Sequence, residues 1–165
     1  MDPSCGCWDY KIEIYRIGHA QPDYVRSSTN DPDLFQHKEQ SLAADVCPND
    51  NFSSCVTMSG SYGVLASHNL TATKEPGEPD HAGNVGGKSL WFCWTAPTNT
   101  PVTIDTVGST FDTLLAVYIG TNVSNLTLVA SNDDIVYGVN VQSTVTFTPV
   151  KGATYHIAVD GFGGA

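Results

Sequence analysis

Basic residues are scarce in this chain. It carries seven Lys and Arg against 17 Asp and Glu in 165 residues, a formal net charge of −10. Such a surface repels nucleic acid, whose phosphates require clustered Lys and Arg, and it repels anionic lipid. Long apolar runs are also missing, so nothing matches the roughly 20 residues of a membrane-spanning helix. The opening Met1-Asp2-Pro3-Ser4 has neither the basic nor the apolar region of a signal peptide, so an exported protein of this sequence would be a trimmed form. No Gly-x-Ser-x-Gly elbow, phosphate-binding loop or dinucleotide fingerprint occurs. Ser61 and Ser109 have no base marked out for them. His19, His37, His68, His81 and His156 fall in no metal-ligand spacing. These absences argue against an enzyme, a nucleic-acid binder and a membrane-inserted protein.

What is present is strand. Apolar residues make up 41% and charged residues 15%, enough for a packed core and too little charge for a disordered tail. From residue 46 onward, β-rich runs alternate with Gly, Pro, Asn and Asp. The runs are 63–69, 89–96, 102–106, 114–119, 126–130, 144–148 and 154–159. Val102 and Ile104 share a face, as do Val145 and Phe147, and Tyr155, Ile157 and Val159. Period-two alternation puts one face in the core and the other in water. Seven short strands with no helical run between them predict an all-β fold, an antiparallel β-sandwich or jelly roll.

Residues 1–45 form an N-terminal extension with one extra strand, at 9–17. There Tyr10, Ile12 and Ile14 point one way and Lys11 and Glu13 the other. A short helix is expected from Asp31, as N-cap, and Pro32 to about Ala44.

Five cysteines occur: Cys5, Cys7, Cys47, Cys55 and Cys93. An odd count leaves at least one without a partner in the chain. Cys47 and Cys55 flank a short polar loop and are the expected disulfide. Cys5-Gly-Cys7 lacks the second pair of a zinc site and reads as disulfide chemistry. The polar, Gly- and Asn-rich composition suits an oxidising, extracellular or cell-surface location. Four glycosylation sequons start at Asn51, Asn69, Asn122 and Asn125. Trp91 and Trp94 face opposite sides of their strand, so one is core and the other is either core or a platform for a sugar ring.

Asn49-Asp-Asn-Phe begins a series of motifs that continues through Ala72-Thr-Lys-Glu-Pro-Gly-Glu-Pro-Asp-His-Ala-Gly and Ser89-Leu-Trp-Phe-Cys-Trp-Thr-Ala-Pro. It runs on through Gly108-Ser-Thr-Phe-Asp-Thr-Leu-Leu-Ala-Val-Tyr-Ile-Gly, Val129-Ala-Ser-Asn-Asp-Asp and Tyr155-His-Ile-Ala-Val-Asp-Gly. In this order they resemble the bacterial pre-peptidase C-terminal domain, a β-sandwich module appended to secreted proteases and large surface proteins. The resemblance covers residues 46–165 and implies fold more than function.

Collagen-binding relatives hold calcium with an Asn-Asp pair and two acidic residues three apart. The resemblance therefore implies calcium ligands at Asn49, Asp50, Glu75 and Glu78, with Asp45 upstream. Cys47 stands where a further acid is expected. Pro76 and Pro79 stiffen the Glu75–Glu78 loop, and calcium takes 6–8 oxygens from such loops. Asp112, Asp133 and Asp134 read as turn chemistry.

In relatives one more strand follows a turn like Gly161-Phe-Gly-Gly-Ala. The expectation is a sandwich lacking its last strand, beside an extension carrying a spare one. Three outcomes stay open: exchange of the spare strand between copies, folding of that strand onto its own sandwich, or a fragment of a longer protein. Exchange would make a head-to-tail homopolymer, with Tyr10, Ile12 and Ile14 filling core pockets. The competing function is a module binding carbohydrate or matrix protein beside a secreted hydrolase.

Overall fold

A computed structural model describes residues 10–16 and 47–165. The expected helix from Asp31, together with Asp45, Cys5, Cys7, His19 and His37, lies outside the described residues.

The fold is all-β, in two sheets. Its strands are β1 (Tyr10–Arg16), β2 (Val56–Met58), β3 (Gly63–Ser67), β4 (Leu90–Thr95), β5 (Val102–Asp105), β6 (Thr113–Ile119), β7 (Thr127–Asn132), β8 (Thr144–Phe147) and β9 (Thr154–Gly161). One sheet has the order β3-β1-β5-β8 and the other β2-β4-β9-β6-β7. All seven strands expected after residue 46 are present, with ends displaced by one or two residues. β2 is an addition. It pairs parallel to β4, so the second sheet is mixed rather than wholly antiparallel.

Period-two alternation builds the core between the sheets. Val102, Ile104 and Val145 from the first sheet share one apolar cluster with Leu90, Phe92, Trp94, Leu115, Val117, Ile157 and Val159 from the second. At roughly 25 cal/mol per Å2 of buried apolar surface, this cluster is the main source of stability.

The opposite face of the second sheet is not bare. Trp91, Ala116, Tyr118 and Ala158 form a second buried cluster with Phe52, and Cys55, Val123 and Leu126 pack against it. Phe52 comes from a single 3-10 turn, Phe52–Ser54. Its ring meets Trp91 edge-on at 5.1 Å. The mixed sheet is thus covered on both faces, which is why β4, β6 and β9 are buried along most of their length.

The disulfide joins Cys55 to Cys93, with a Cα–Cα distance of 5.6 Å. This corrects the expected Cys47–Cys55 bridge. Cys47 belongs to the core between the sheets, whereas Cys55 packs on the other face of the mixed sheet. Cys47 is free and buried, with its sulfur 3.3 Å from the carbonyl of His68.

Candidate functional site

The most consequential feature is the seat of β1. It pairs antiparallel with β3, from Tyr10↔Ser67 to Ile14↔Gly63, and antiparallel with β5, from Glu13↔Asp105 to Arg16↔Val102. Among the described strands β3 and β5 do not pair with each other, and β1 is the only link between β3 and the rest of its sheet. The segment inserted there is separated from the remainder of the described chain by residues 17–46. Fully extended, those 30 residues span about 100 Å.

The loops carrying the resemblance-implied calcium ligands are closed by protein hydrogen bonds. Asp50 accepts from the backbone N–H of Thr73 at 2.6 Å and from its hydroxyl at 3.0 Å. Glu75 accepts from the N–H of Phe52. Asn49 is buried and donates to the carbonyl of Trp91 at 3.1 Å. Glu78 accepts from the N–H of Glu75 at 2.9 Å and from His81 Nε2 at 2.7 Å. Asp50, Glu75 and Glu78 do not bring one oxygen each within 4.8 Å of one another. In this structure Asn49, Asp50, Glu75 and Glu78 fasten loops to the mixed sheet.

Glu78, His81 and Tyr118 form a buried chain of polar groups, with His81 Nδ1 2.9 Å from the Tyr118 hydroxyl. Burial works to raise the Glu78 pKa, but hydrogen bonds from His81, Ser89 and the Glu75 backbone outweigh it and hold the carboxyl below its ordinary value. Burial, reinforced by the charges of Glu78 and Asp80, pushes the Tyr118 phenol well up. Both ring nitrogens of His81 are engaged and the residue is fully buried. From the sequence alone His81 was given no partner; the cue to its role was the Glu-x-x-His spacing.

A second buried anchor was not anticipated. Asp160, fully buried at the end of β9, accepts from the N–H groups of Gly87, Lys88 and Gly161 at 2.7–3.1 Å. Gly86 makes the close approach possible: a Cβ there would lie 1.8 Å from Asp160 Oδ2, and its φ is +57°.

Asp112, Asp133 and Asp134 converge, each bringing an oxygen within 4.8 Å of the others. One oxygen of Asp112 and one of Asp133 are buried without a donor. Burial first, then the neighbouring carboxylates, raises the pKa of both Asp112 and Asp133. Turn chemistry alone does not account for bare buried oxygens.

His156, read as facing water, lies beside the disulfide. Its Nδ1 is 3.3 Å from Cys93 Sγ, and Phe52 covers its ring at 4.4 Å. Burial lowers its pKa, opposed by a hydrogen bond to the Gly120 backbone.

The remaining expectations divide. Asn51, Asn122 and Asn125 are exposed. Asn69 is buried, and its amide nitrogen already donates to the carbonyls of Lys88 and Ala165, so a glycan does not fit on it there. Trp91 and Trp94 are both buried, which removes the candidate sugar platform. Among the described residues no helix is long and apolar enough to cross a membrane.

Comparisons with protein-family models, curated proteins and solved structures return no match.

Proposed function

We propose that the chain is a non-catalytic, extracellular structural module that assembles head to tail, each copy donating its first strand to the sheet of the next. The observation that carries this reading is the interior seat of β1, between two strands that do not touch each other. A strand in that position contributes ladders on both sides, nine register pairs counted as five with β3 and four with β5. Donation in trans exchanges one set of these contacts for an identical set, so its cost is confined to the tether and to association. The contact repeats without closing and builds a fibre.

The disulfide supports an oxidising compartment, and the resemblance to pre-peptidase C-terminal domains supports a surface or secreted setting. The exposed sequons at Asn51, Asn122 and Asn125 suit a glycan coat in a host that glycosylates them. Calcium stiffening belongs in this reading at Asp112, Asp133 and Asp134, where one oxygen of Asp112 and one of Asp133 lack a donor, rather than at Asn49, Asp50, Glu75 and Glu78.

The test is electron microscopy and sizing of the full chain beside a chain lacking residues 1–17. Filaments from the full chain are expected, with monomers of lowered melting temperature from the truncated one. A synthetic peptide of residues 8–17 should restore the truncated chain's melting temperature. A full chain that stays monomeric at all concentrations would overturn exchange and leave self-completion of the sheet.

A further inference from the structure

The disulfide and its neighbouring histidine form a convergent set of soft donors. Cys93 and His156 are register partners on adjacent strands β4 and β9. Cys55 arrives from the end of the 3-10 turn, immediately before β2. The two sulfurs and one imidazole nitrogen all lie within 4.8 Å of one another. None of the three residues is fully buried, so solvent and small ions have access.

The geometry points to a second state of this site: once the disulfide is reduced, Cys55, Cys93 and His156 hold a zinc(II) ion as a Cys2His set with one position left for water. Tetrahedral zinc has Zn–S near 2.3 Å and Zn–N near 2.0–2.1 Å, which sets donor separations of about 3.7 Å for sulfur to sulfur and about 3.5 Å for sulfur to nitrogen. His156 Nδ1 already stands 3.3 Å from Cys93 Sγ. Only the two sulfurs must part, and Cys55 sits at a turn end rather than inside a ladder. The histidine is oriented as a ligand needs to be. Its ring is held by the Gly120 backbone and covered by Phe52, the supporting contacts typical of metal-binding histidines.

The chemistry balances with one external reactant, a dithiol. Two-electron exchange converts that dithiol to its disulfide and the Cys55–Cys93 bond to two thiols. Zinc then binds both sulfurs as thiolates, releasing two protons, while neutral His156 gives its lone pair. Disulfide and metal are alternative cross-links between the same two sulfurs, so the region stays tied in either redox state.

The test uses the full chain carrying Cys5→Ser and Cys7→Ser, which removes the thiols outside the described residues. The protein is reduced with a dithiol, desalted without oxygen, and its thiols are counted before cobalt(II) is added as a spectroscopic probe. One equivalent of cobalt should give a thiolate-to-metal charge-transfer band and tetrahedral ligand-field bands, both erased by zinc. The oxidised protein should give neither. His156→Gln should weaken binding at least tenfold with an unchanged thiol count, and Cys93→Ser should abolish it. Cys47→Ala should leave the spectrum unchanged. Absence of the thiolate band in protein with confirmed free thiols would overturn the site. So would a band that survives Cys93→Ser, or affinity that His156→Gln leaves unaltered. Melting curves of each variant, with and without zinc, separate lost ligation from lost fold.

Discussion

Ile14 of β1 stands in register with Ile104 of β5, a residue wholly enclosed in the core between the sheets. Its partner on the other side is Gly63 of β3. An N-terminal segment thus completes the middle of a sheet whose other members come from beyond residue 62. Ile14→Asp places a charge in the centre of that strand. Loss of filaments and a fall in melting temperature approaching that of the truncated chain are expected, by negative-stain microscopy and thermal melts. Lys11→Ser, at a position the alternation assigns to the other face, should change neither measurably.

The Cys55–Cys93 disulfide spans a sequence separation of 38 residues. In the chain-entropy model a loop of that size is worth about 4 kcal/mol. Cys93→Ser should lower the denaturant midpoint accordingly, whereas Cys47→Ser should act only through a local packing change of about 1 kcal/mol. Peptide mapping without reduction should recover Cys55 linked to Cys93 and Cys47 alkylatable only after unfolding.

Gly86 occupies the left-handed region and abuts Asp160. Gly86→Ala forces the carboxylate away from the amides of Gly87 and Lys88, leaving buried polar groups short of partners. A loss of roughly 2–4 kcal/mol is expected in chemical denaturation. Gly83→Ala, where a Cβ meets nothing within 4 Å, should cost less, about 1 kcal/mol for its positive φ alone.

Stability should fall on acidification in two stages. The His156 pKa lies below its ordinary 6.5, so the unfolded chain takes up protons first and stability declines as pH drops below that value. Glu78, also held below its ordinary 4.5, contributes fully above that pH and loses its contribution as pH falls through its folded-state value. Melting temperatures measured from pH 8 to pH 3 should show both declines. His156→Gln should remove the upper one, and Glu78→Gln should lower stability most at neutral pH.

Asp112 and Asp133 act in the opposite sense. Their folded-state pKa values are raised by burial first and then by the charge of Asp134, so the folded protein binds protons first and gains from acidification through those values. Asp133→Asn should therefore raise the melting temperature at pH 7 by a few degrees and lose that advantage near pH 3. Millimolar calcium should raise the melting temperature of the native chain and have little effect on the variant.

Much of the fold was legible from residue types. Val102 and Ile104, or Tyr155, Ile157 and Val159, announce strands because a pleat sends alternate side chains to one face. The second buried layer was not legible. His156 and Trp91 occupy the strand positions that alternation assigns to water. They are covered because the turn at Phe52 and the loop through His81 fold over them. Cysteine pairing was misjudged for the same reason: nearness in sequence says nothing about which face of a sheet a residue reaches. Glu75 and Glu78 enter as calcium ligands only through the resemblance; that each also accepts from a backbone N–H was not legible, because a carboxylate that binds a cation and one that accepts from an N–H look alike in sequence.

The sequence by itself determined an all-β chain with an acidic surface and a spare alternating strand, since burial periodicity and net charge are sums over neighbouring residues. Only the tertiary structure decided the partners. It seated β1 between β3 and β5, joined Cys55 to Cys93, and brought Asp112 to Asp133. Each of these meetings depends on where distant segments cross, and strand order, unlike strand period, is not written in any local run of residues.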